Sequence, residues 1–296
     1  MEAWLQPLPA ALTDQQFAAW QQLIETRTGI DFSQHRAILQ GGLSRRLREL
    51  GQVDHQAYFE QVSRWPEGVA EWQALIEQVA VKETSFFRQP AAFELVRSFL
   101  RKRCLTSTTL DLWSAGCATG EEAYGLAMVT ADIIKRQQAA CFFGVLATDM
   151  CSVALQHARA GSYRSRRIEE IPELFRRRFA SVDGDRLQIA DDLRQRLCFA
   201  QVNLLDIEQL PALPMDVIYC QNVLVYFRRE RVKQVLDAMV ERLKPGGLLV
   251  LGPGEAAHWH HPAMARTAHQ GVSAWLRRTD SSASQNDLQK VNTYGR

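Results

Sequence analysis

LWSAGCATGEE, Leu112 to Glu122, is the stretch on which the fold is decided. A short apolar run, LDLW at 110–113, ends in a loop of small residues holding Gly116 and Gly120, and a helical pattern follows from about Gly120. Strand, glycine loop and helix in that order make one βα unit of an α/β sheet. Glycines there let the backbone approach a ligand, and the amides of the helix start then face it. A tight βα turn reads the same way, so the loop alone leaves both a structural turn and a nucleotide-type site open. Asp149 ends the next strand pattern, FFGVLATD at 142–149, and stands 29 positions after Gly120. An acid at that point can accept both ribose hydroxyls of an adenosyl group. It can also serve as an ordinary cap for the helix expected over 152–160.

Outward from this unit the alternation continues. MDVIYCQN at 215–222 predicts a third strand, 229–243 a helix ending in KPGG, and LLVLG at 248–252 a further strand. Such alternation predicts a parallel sheet with helices on both faces. The charged stretch 163–196 interrupts it, and Asp183-Gly184 between short runs suggests a β hairpin. Upstream, residues 13–80 read as helices only. Thr13 and Gln16 form a weak capping box, Phe17, Trp20, Leu23 and Ile24 recur at helical spacing, and Gly29 stops that helix. Leu39, Leu43, Leu47 and Leu50 make a second stripe before Gly51, and helical pattern returns through Tyr58, Phe59, Val62 and Trp72 to Val79. The expected organisation is an all-α domain over 1–80 and an α/β, Rossmann-like domain over 81–279. The latter carries a small antiparallel β insertion at about 163–200, and 280–296 is a polar tail or linker.

The totals fit two soluble domains: 296 residues, 46% apolar and 23% charged. A net charge of +2 from 35 basic and 33 acidic residues excludes a global nucleic-acid binder. No CxxC pair occurs among cysteines 104, 117, 141, 151, 198 and 220, so neither zinc nor a dithiol pair is expected. No apolar run approaches the roughly 18 residues of a membrane span, and the first residues lack a signal-peptide pattern. A reduced, cytoplasmic protein without membrane insertion or metal is the expectation. His258, His260 and His261 have no carboxylate or cysteine at ligand spacing.

A dinucleotide site normally shows GxGxxG with its pyrophosphate on the helix start. Here Glu121 and Glu122 open the helix and would repel a pyrophosphate. They suit the cationic sulfonium and amino group of S-adenosylmethionine. At this point the chain resembles a known family. VKETSFFR (81–88), SAGCATGEEAYGLAM (114–128), ATDM (147–150), ALQHARAGSY (154–163), VNLLD (202–206), DVIYCQNVLVYF (216–227) and LKPGGLLVLGPGE (243–255) are similar, in order, to the CheR chemotaxis glutamate methyltransferases. The chain departs from that pattern at Lys82, where Asn is usual, at Gln221, where Arg is usual, and at Pro253-Gly254, where His-Ser is usual.

The resemblance implies a class I methyltransferase that moves a methyl group from S-adenosylmethionine to glutamate carboxylates of chemoreceptors, leaving S-adenosylhomocysteine. It implies donor contacts at Lys82, Thr84, Arg88, Gly116, Gly120, Glu121, Asp149, Asn203, Leu204, Asn222 and Val223, with Glu121 at the methionine end, Asp149 at the ribose and Asn203 with Leu204 near adenine. The candidate catalytic residues are Arg88, Asn222 and Tyr226, although anchoring of the loop fits Tyr226 and Phe227 better than chemistry. Phe86 and Phe87 could stack on a ligand, but core packing is favoured for at least one. Arg45, Arg46 and Arg48 would form a basic face meeting the acidic methylation helices of receptors, against the plainer reading of a solvated helix surface. The enzyme is expected to be a monomer. The compact turn at Ser181–Arg186 implies independence from a receptor C-terminal pentapeptide. A receptor-binding adaptor without activity, and a methyltransferase for another substrate, are the alternatives.

Overall fold

The computed structural model describes residues 9–279 apart from Trp65, Val81, Lys82, Ala268 and Gln270. The expected tail at 280–296 therefore lies outside the described residues.

The capping box forms as read. Thr13 Oγ1 accepts from the Gln16 amide at 3.2 Å, and Gln16 Oε1 accepts from the Thr13 amide at 3.0 Å, which starts α1 (Asp14–Thr28). Gly29 stops it in the left-handed region at φ 80°, where a side chain would also meet Phe227, its Cβ only 2.5 Å from that ring. Helices α2 (Arg36–Glu49), α3 (His55–Ser63) and α4 (Val69–Val79) follow. Leu39, Leu43 and Leu47 are fully buried and share one core with Trp20, Ile24, Tyr58, Val62 and Leu75.

The second domain begins with a helix absent from the expected alternation, α5 (Pro90–Arg103), with Pro90 in its first turn. Then come β1 (Thr109–Ala115), α6 (Glu121–Gln137), β2 (Phe142–Asp149) and α7 (Ser152–Ala160). The insertion contains β3 (Ser162–Arg164), a 3-10 turn at Ser165–Glu170, α8 (Glu173–Phe179), β4 (Ala180–Asp183), β5 (Arg186–Ile189) and α9 (Asp191–Arg194). Its three strands lie antiparallel in the order β3-β5-β4, with Gly184 at φ 58° in the two-residue turn between β4 and β5. The main chain resumes with β6 (Leu197–Gln201), β7 (Met215–Cys220), α10 (Arg229–Arg242), β8 (Leu243–Leu251), β9 (Met264–Arg266) and β10 (Ser273–Arg277).

Seven strands form the main sheet in the order β6-β2-β1-β7-β8-β10-β9. The first five are parallel, whereas β10 runs antiparallel to both β8 and β9. The sheet is thus mixed rather than all parallel, with an antiparallel edge of the kind doubly wound sheets often carry. Both faces are buried. Along β7, Val217 and Tyr219 enter one core with α5, α6 and the insertion, while Ile218 and Cys220 enter the other with α10. This period of two explains why residues 217–220 of β7 read as an unbroken apolar run.

At the N-terminal end of the sheet, Asp216 is fully buried and accepts from Arg103 Nε at 2.9 Å, Lys244 Nζ at 2.6 Å and the Asp111 amide at 2.9 Å. It ties α5, β1, β7 and β8 together away from the ligand end. The two domains join elsewhere. The Asp31 amide donates to the Tyr226 carbonyl at 2.7 Å, Asn203 Nδ2 donates to the Arg27 carbonyl at 2.7 Å, and Arg228 pairs with Glu25 and Asp31 at 2.6 and 3.2 Å.

Candidate cofactor site

Strand order reverses at β1, since β2 lies on one side of it and β7 on the other. Loops leaving the carboxyl ends of β1, β2 and β7 therefore diverge over a crevice, the usual ligand position in an open α/β sheet. The loop after β1 is shaped by backbone geometry. Gly116 has φ 80°, and a Cβ there would sit 2.3 Å from a Val223 methyl, so only glycine lets this loop and the loop after β7 touch. Ala118 at φ 47° presents its amide to Asp149 Oδ2 at 2.9 Å, and the Cys151 amide binds the other oxygen at 2.8 Å. Asp149 is fixed by two amides from two loops and is not the cap residue of α7, which is Cys151.

The loop after β7 carries Asn222 at φ 60°, a costly conformation for a residue other than glycine. Glu255 holds it. One carboxylate oxygen accepts from the amides of Val223, Leu224 and Val225 at 2.8, 2.9 and 3.3 Å, and the other from Gly252 at 2.6 Å. Burial pushes the Glu255 pKa up, and the four amides pull it back.

Thr84, Arg88, Gly116, Asp149, Asn203, Leu204, Asn222, Val223 and Tyr226 line one cleft. Gly120 and Glu121 are not among its lining residues, and Lys82 lies outside the described residues. Gly120, at φ 94°, faces Ala158 and Tyr163 instead. The buried Glu121 carboxylate turns to Thr119 Oγ1 at 2.6 Å and Arg167 at 3.3 Å. Its neighbour Glu122 opens on the cleft and accepts from Ser114 Oγ at 2.7 Å. Burial pushes the Glu122 pKa well above the usual carboxylate range. The Ser114 hydrogen bond and the Arg88 charge oppose the shift, while the Glu255 charge adds to it. Successive helical residues point about 100° apart, so the two acids leave α6 in different directions, Glu122 toward the cleft and Glu121 toward Arg167.

The helical domain supplies a wall that the sequence did not announce: Thr28, Ile30, Phe32, Val79 and Ala80. Phe86 and Phe87 both belong to the core, at 2% and 8% exposure, against Tyr163 and Phe175 respectively. Gln221, where the resembled pattern has Arg, lines the cleft, accepts from Tyr219 Oη at 3.0 Å and bonds Gln89. Arg88 is exposed, and Nη1 donates to the Glu83 carbonyl at 3.1 Å. Among the described residues, no carboxylate lies within 4 Å of its guanidinium. Burial pushes the Tyr226 phenol above its ordinary value, with Arg88 opposing, so it stays protonated near neutrality. No His, Cys, Asp and Glu grouping suited to a metal occurs among the described residues.

Of the basic residues on α2, Arg45 and Arg48 are exposed. Arg46 is committed inward: its guanidinium forks onto Glu71 at 2.7 and 2.8 Å and reaches Glu49 at 2.9 Å, while Tyr58 Oη also donates to Glu71 at 2.8 Å.

An acid at the carboxyl end of β2, a glycine-shaped loop after β1 and a half-buried acid facing the cleft fit an adenosyl donor with a cationic sulfur. The class is that of S-adenosylmethionine-dependent methyltransferases. Residues 82–272 match the family described as CheR methyltransferase, SAM binding domain, and residues 15–80 match its all-alpha domain. The chain belongs to the CheR methyltransferase family. It is 34% identical over 250 residues to the Escherichia coli chemotaxis protein methyltransferase, covering 83% of this chain and 85% of that one. It is 29% identical over 248 residues to chemotaxis protein methyltransferase 2 of Pseudomonas aeruginosa, covering 82% and 87%. Likeness to solved structures is distant: a Geobacter sulfurreducens methyltransferase with S-adenosyl-L-homocysteine is 13% identical at TM-score 0.34, over 61% of this chain and 54% of that one.

Proposed function

We propose that this enzyme methylates glutamate side chains on chemoreceptors, within chemotaxis or a related signalling pathway. The observation that carries this reading is Arg88: an exposed guanidinium that lines the same cleft as Glu122 and Tyr226, yet has no carboxylate partner within 4 Å among the described residues. Such a group can receive an anionic substrate by charge-assisted hydrogen bonds. The names of the relatives supply the chemotaxis context.

Bound S-adenosylmethionine supplies an electrophilic methyl and a neutral thioether leaving group. The chain's task is then alignment. Asp149 takes the ribose, Glu122 meets the positive methionine end in place of Glu121, and Leu204, held by the short turn that Asn203 caps, borders adenine. Asn222 and Val223, set by Glu255, flank the reacting carbon. Arg88 and the Tyr226 hydroxyl orient the incoming carboxylate. A glutamate, with a reference pKa near 4.3, arrives ionised, so no base is required. What matters is approach to about 3–3.5 Å with water excluded, and the apolar wall from the helical domain serves that end.

Arg45 and Arg48 are proposed to dock receptor helices, with the enzyme acting in the cytoplasm as a monomer. The two-residue turn at Gly184-Asp185 leaves little to grip a receptor pentapeptide, so no dependence on it is proposed. The experiment is incubation of the purified protein with methyl-labelled donor and receptor cytoplasmic fragments. Base-labile label on receptor glutamates is expected. Label that resists base, or label absent while donor still binds, rejects the reading.

A further inference from the structure

We propose that Arg167 and Glu170, from the insertion, are positioning residues that hold the Thr84–Arg88 segment against the start of α6. The inference rests on the reading of this cleft as the donor site. One guanidinium nitrogen, Arg167 Nη1, lies 2.8 Å from the Thr84 carbonyl, 3.3 Å from Glu121 Oε1 and 3.2 Å from Glu170 Oε2. Glu170 Oε2 in turn accepts from the Phe86 amide at 3.0 Å. Three separate segments therefore converge on one ion pair: the Thr84–Arg88 segment, the acid that begins α6, and the 3-10 turn of the insertion.

None of these insertion residues lines the cleft, but what they hold does. Thr84 and Arg88 line it from one side, and Glu122 from the first turn of α6. The Thr84–Arg88 segment has no regular structure of its own until α5 begins, and Phe87 within it adopts φ 53°. Such a backbone persists only where its surroundings over-determine it. Phe86 against Tyr163 and Phe87 against Phe175 supply apolar contacts, again from the insertion. Arg167 and Glu170 supply the polar ones, one on a carbonyl and one on an amide. Tyr163 Oη adds a bond to the Thr119 carbonyl at 2.7 Å, just before α6. The insertion is thus a brace behind the donor site.

Arg167 also faces a side chain that is only 1% exposed, Glu121. This separates two roles that a single substitution would confuse. Removing the guanidinium both frees Thr84 and leaves a buried acid without its cation, and the second effect alone destabilises a fold. The test therefore compares wild type, Arg167→Met, Arg167→Lys and the double variant Arg167→Met with Glu121→Gln. Donor affinity is measured by calorimetry and stability by thermal melting, with Asp149→Ala as the control for donor binding.

Arg167→Met is expected to bind the donor about tenfold more weakly, equivalent to about 1.4 kcal/mol, and to melt earlier. Adding Glu121→Gln should restore the melting temperature and leave the affinity weak. Arg167→Lys should recover part of the affinity. Recovery of both stability and affinity in the double variant would show that Arg167 only neutralises Glu121 and would overturn the proposal. Wild-type affinity in Arg167→Met alongside a loss in Asp149→Ala would overturn it while sparing the donor reading. Loss in neither variant would overturn both. Should Arg167→Met fail to fold, the double variant and Arg167→Lys carry the same comparison.

Discussion

Glu121 and Glu122 differ by one position and by nearly everything else. Glu121 is held by Thr119 and Arg167, whereas Glu122 faces the cleft and accepts from Ser114 Oγ. Because burial holds the folded-state pKa of Glu122 above its unfolded value, its protonation favours the fold at low pH. That contribution is lost as pH rises through the folded-state pKa. Glu122→Gln should therefore melt at a higher temperature than wild type at pH 8. Donor binding has the opposite sign. A cation against Glu122 favours its ionised form, so binding expels a proton and affinity should fall as pH is lowered below the pKa of the free enzyme. Calorimetry in buffers of different ionisation enthalpy should show proton release for S-adenosylmethionine, less for S-adenosylhomocysteine, and none in Glu122→Gln. Asp149→Ala should cost about 1.5–3 kcal/mol of donor affinity, the range for hydrogen bonds to charged groups. An unchanged affinity in a folded variant would remove Asp149 from the site. That acids open α6 beside the glycine loop was legible in GEE. Which acid faces inward was not, because that depends on how Gly120, at φ 94°, aims the first turn of α6.

At the level of elements, the loop after β7 is a structure imposed from outside. Its own sequence, QNVLVYF, places Asn222 in the left-handed region and leaves three successive amides for Glu255, 30 to 32 residues away. Glu255→Gln would turn an amide nitrogen toward one of those donors or toward Gly252. The variant should lose about 1–3 kcal/mol of stability, as expected for a buried donor left unpaired, and its turnover should fall more than its donor affinity. Equal losses in turnover and affinity would place the effect at the donor rather than at the reacting carbon. The sequence announced β1, β2 and β7 because each carries a run of apolar residues that enter the cores on both faces of the sheet. It announced the Asp183-Gly184 hairpin because that turn needs a positive φ at Gly184. It did not announce β6, which falls inside the interval expected for the insertion yet pairs with β2, nor β9 and β10 at the antiparallel edge. Those strands are three to five residues long and become strands only through their partners. The α/β alternation begins at Pro90 rather than at residue 110, and Ala92, Phe93, Val96 and Leu100 bury the face of α5 that shows it.

Across the whole molecule, charge is nearly balanced at +2, so any attraction to acidic receptor helices must be local. With Arg46 engaged by Glu71 and Arg36 by Asp14, the cations on α2 without a carboxylate partner among the described residues are Arg48 and Arg45, the latter donating to Gln78. Arg45→Glu with Arg48→Glu should slow receptor methylation and leave donor affinity intact. Receptor methylation by the wild type should weaken as salt rises, since exposed charges are screened over about 8–10 Å. Salt-insensitive receptor binding would count against this surface. The division into a helical and an α/β domain was legible from the change in periodicity. Their shared cleft was not, because Thr28, Ile30, Phe32, Val79 and Ala80 are ordinary apolar or capping residues until the domains meet. That shared wall limits how freely the parts of this enzyme can be recombined. A chimera joined near residue 80, made to redirect the enzyme to another receptor, would import a foreign side to the donor cleft. It would also exchange the partners of Asn203, Tyr226 and Arg228, which lie on Arg27, Glu25 and Asp31. Retargeting by grafting should therefore succeed when the exchange is confined to the outer face of α2, and should impair turnover when whole domains are traded.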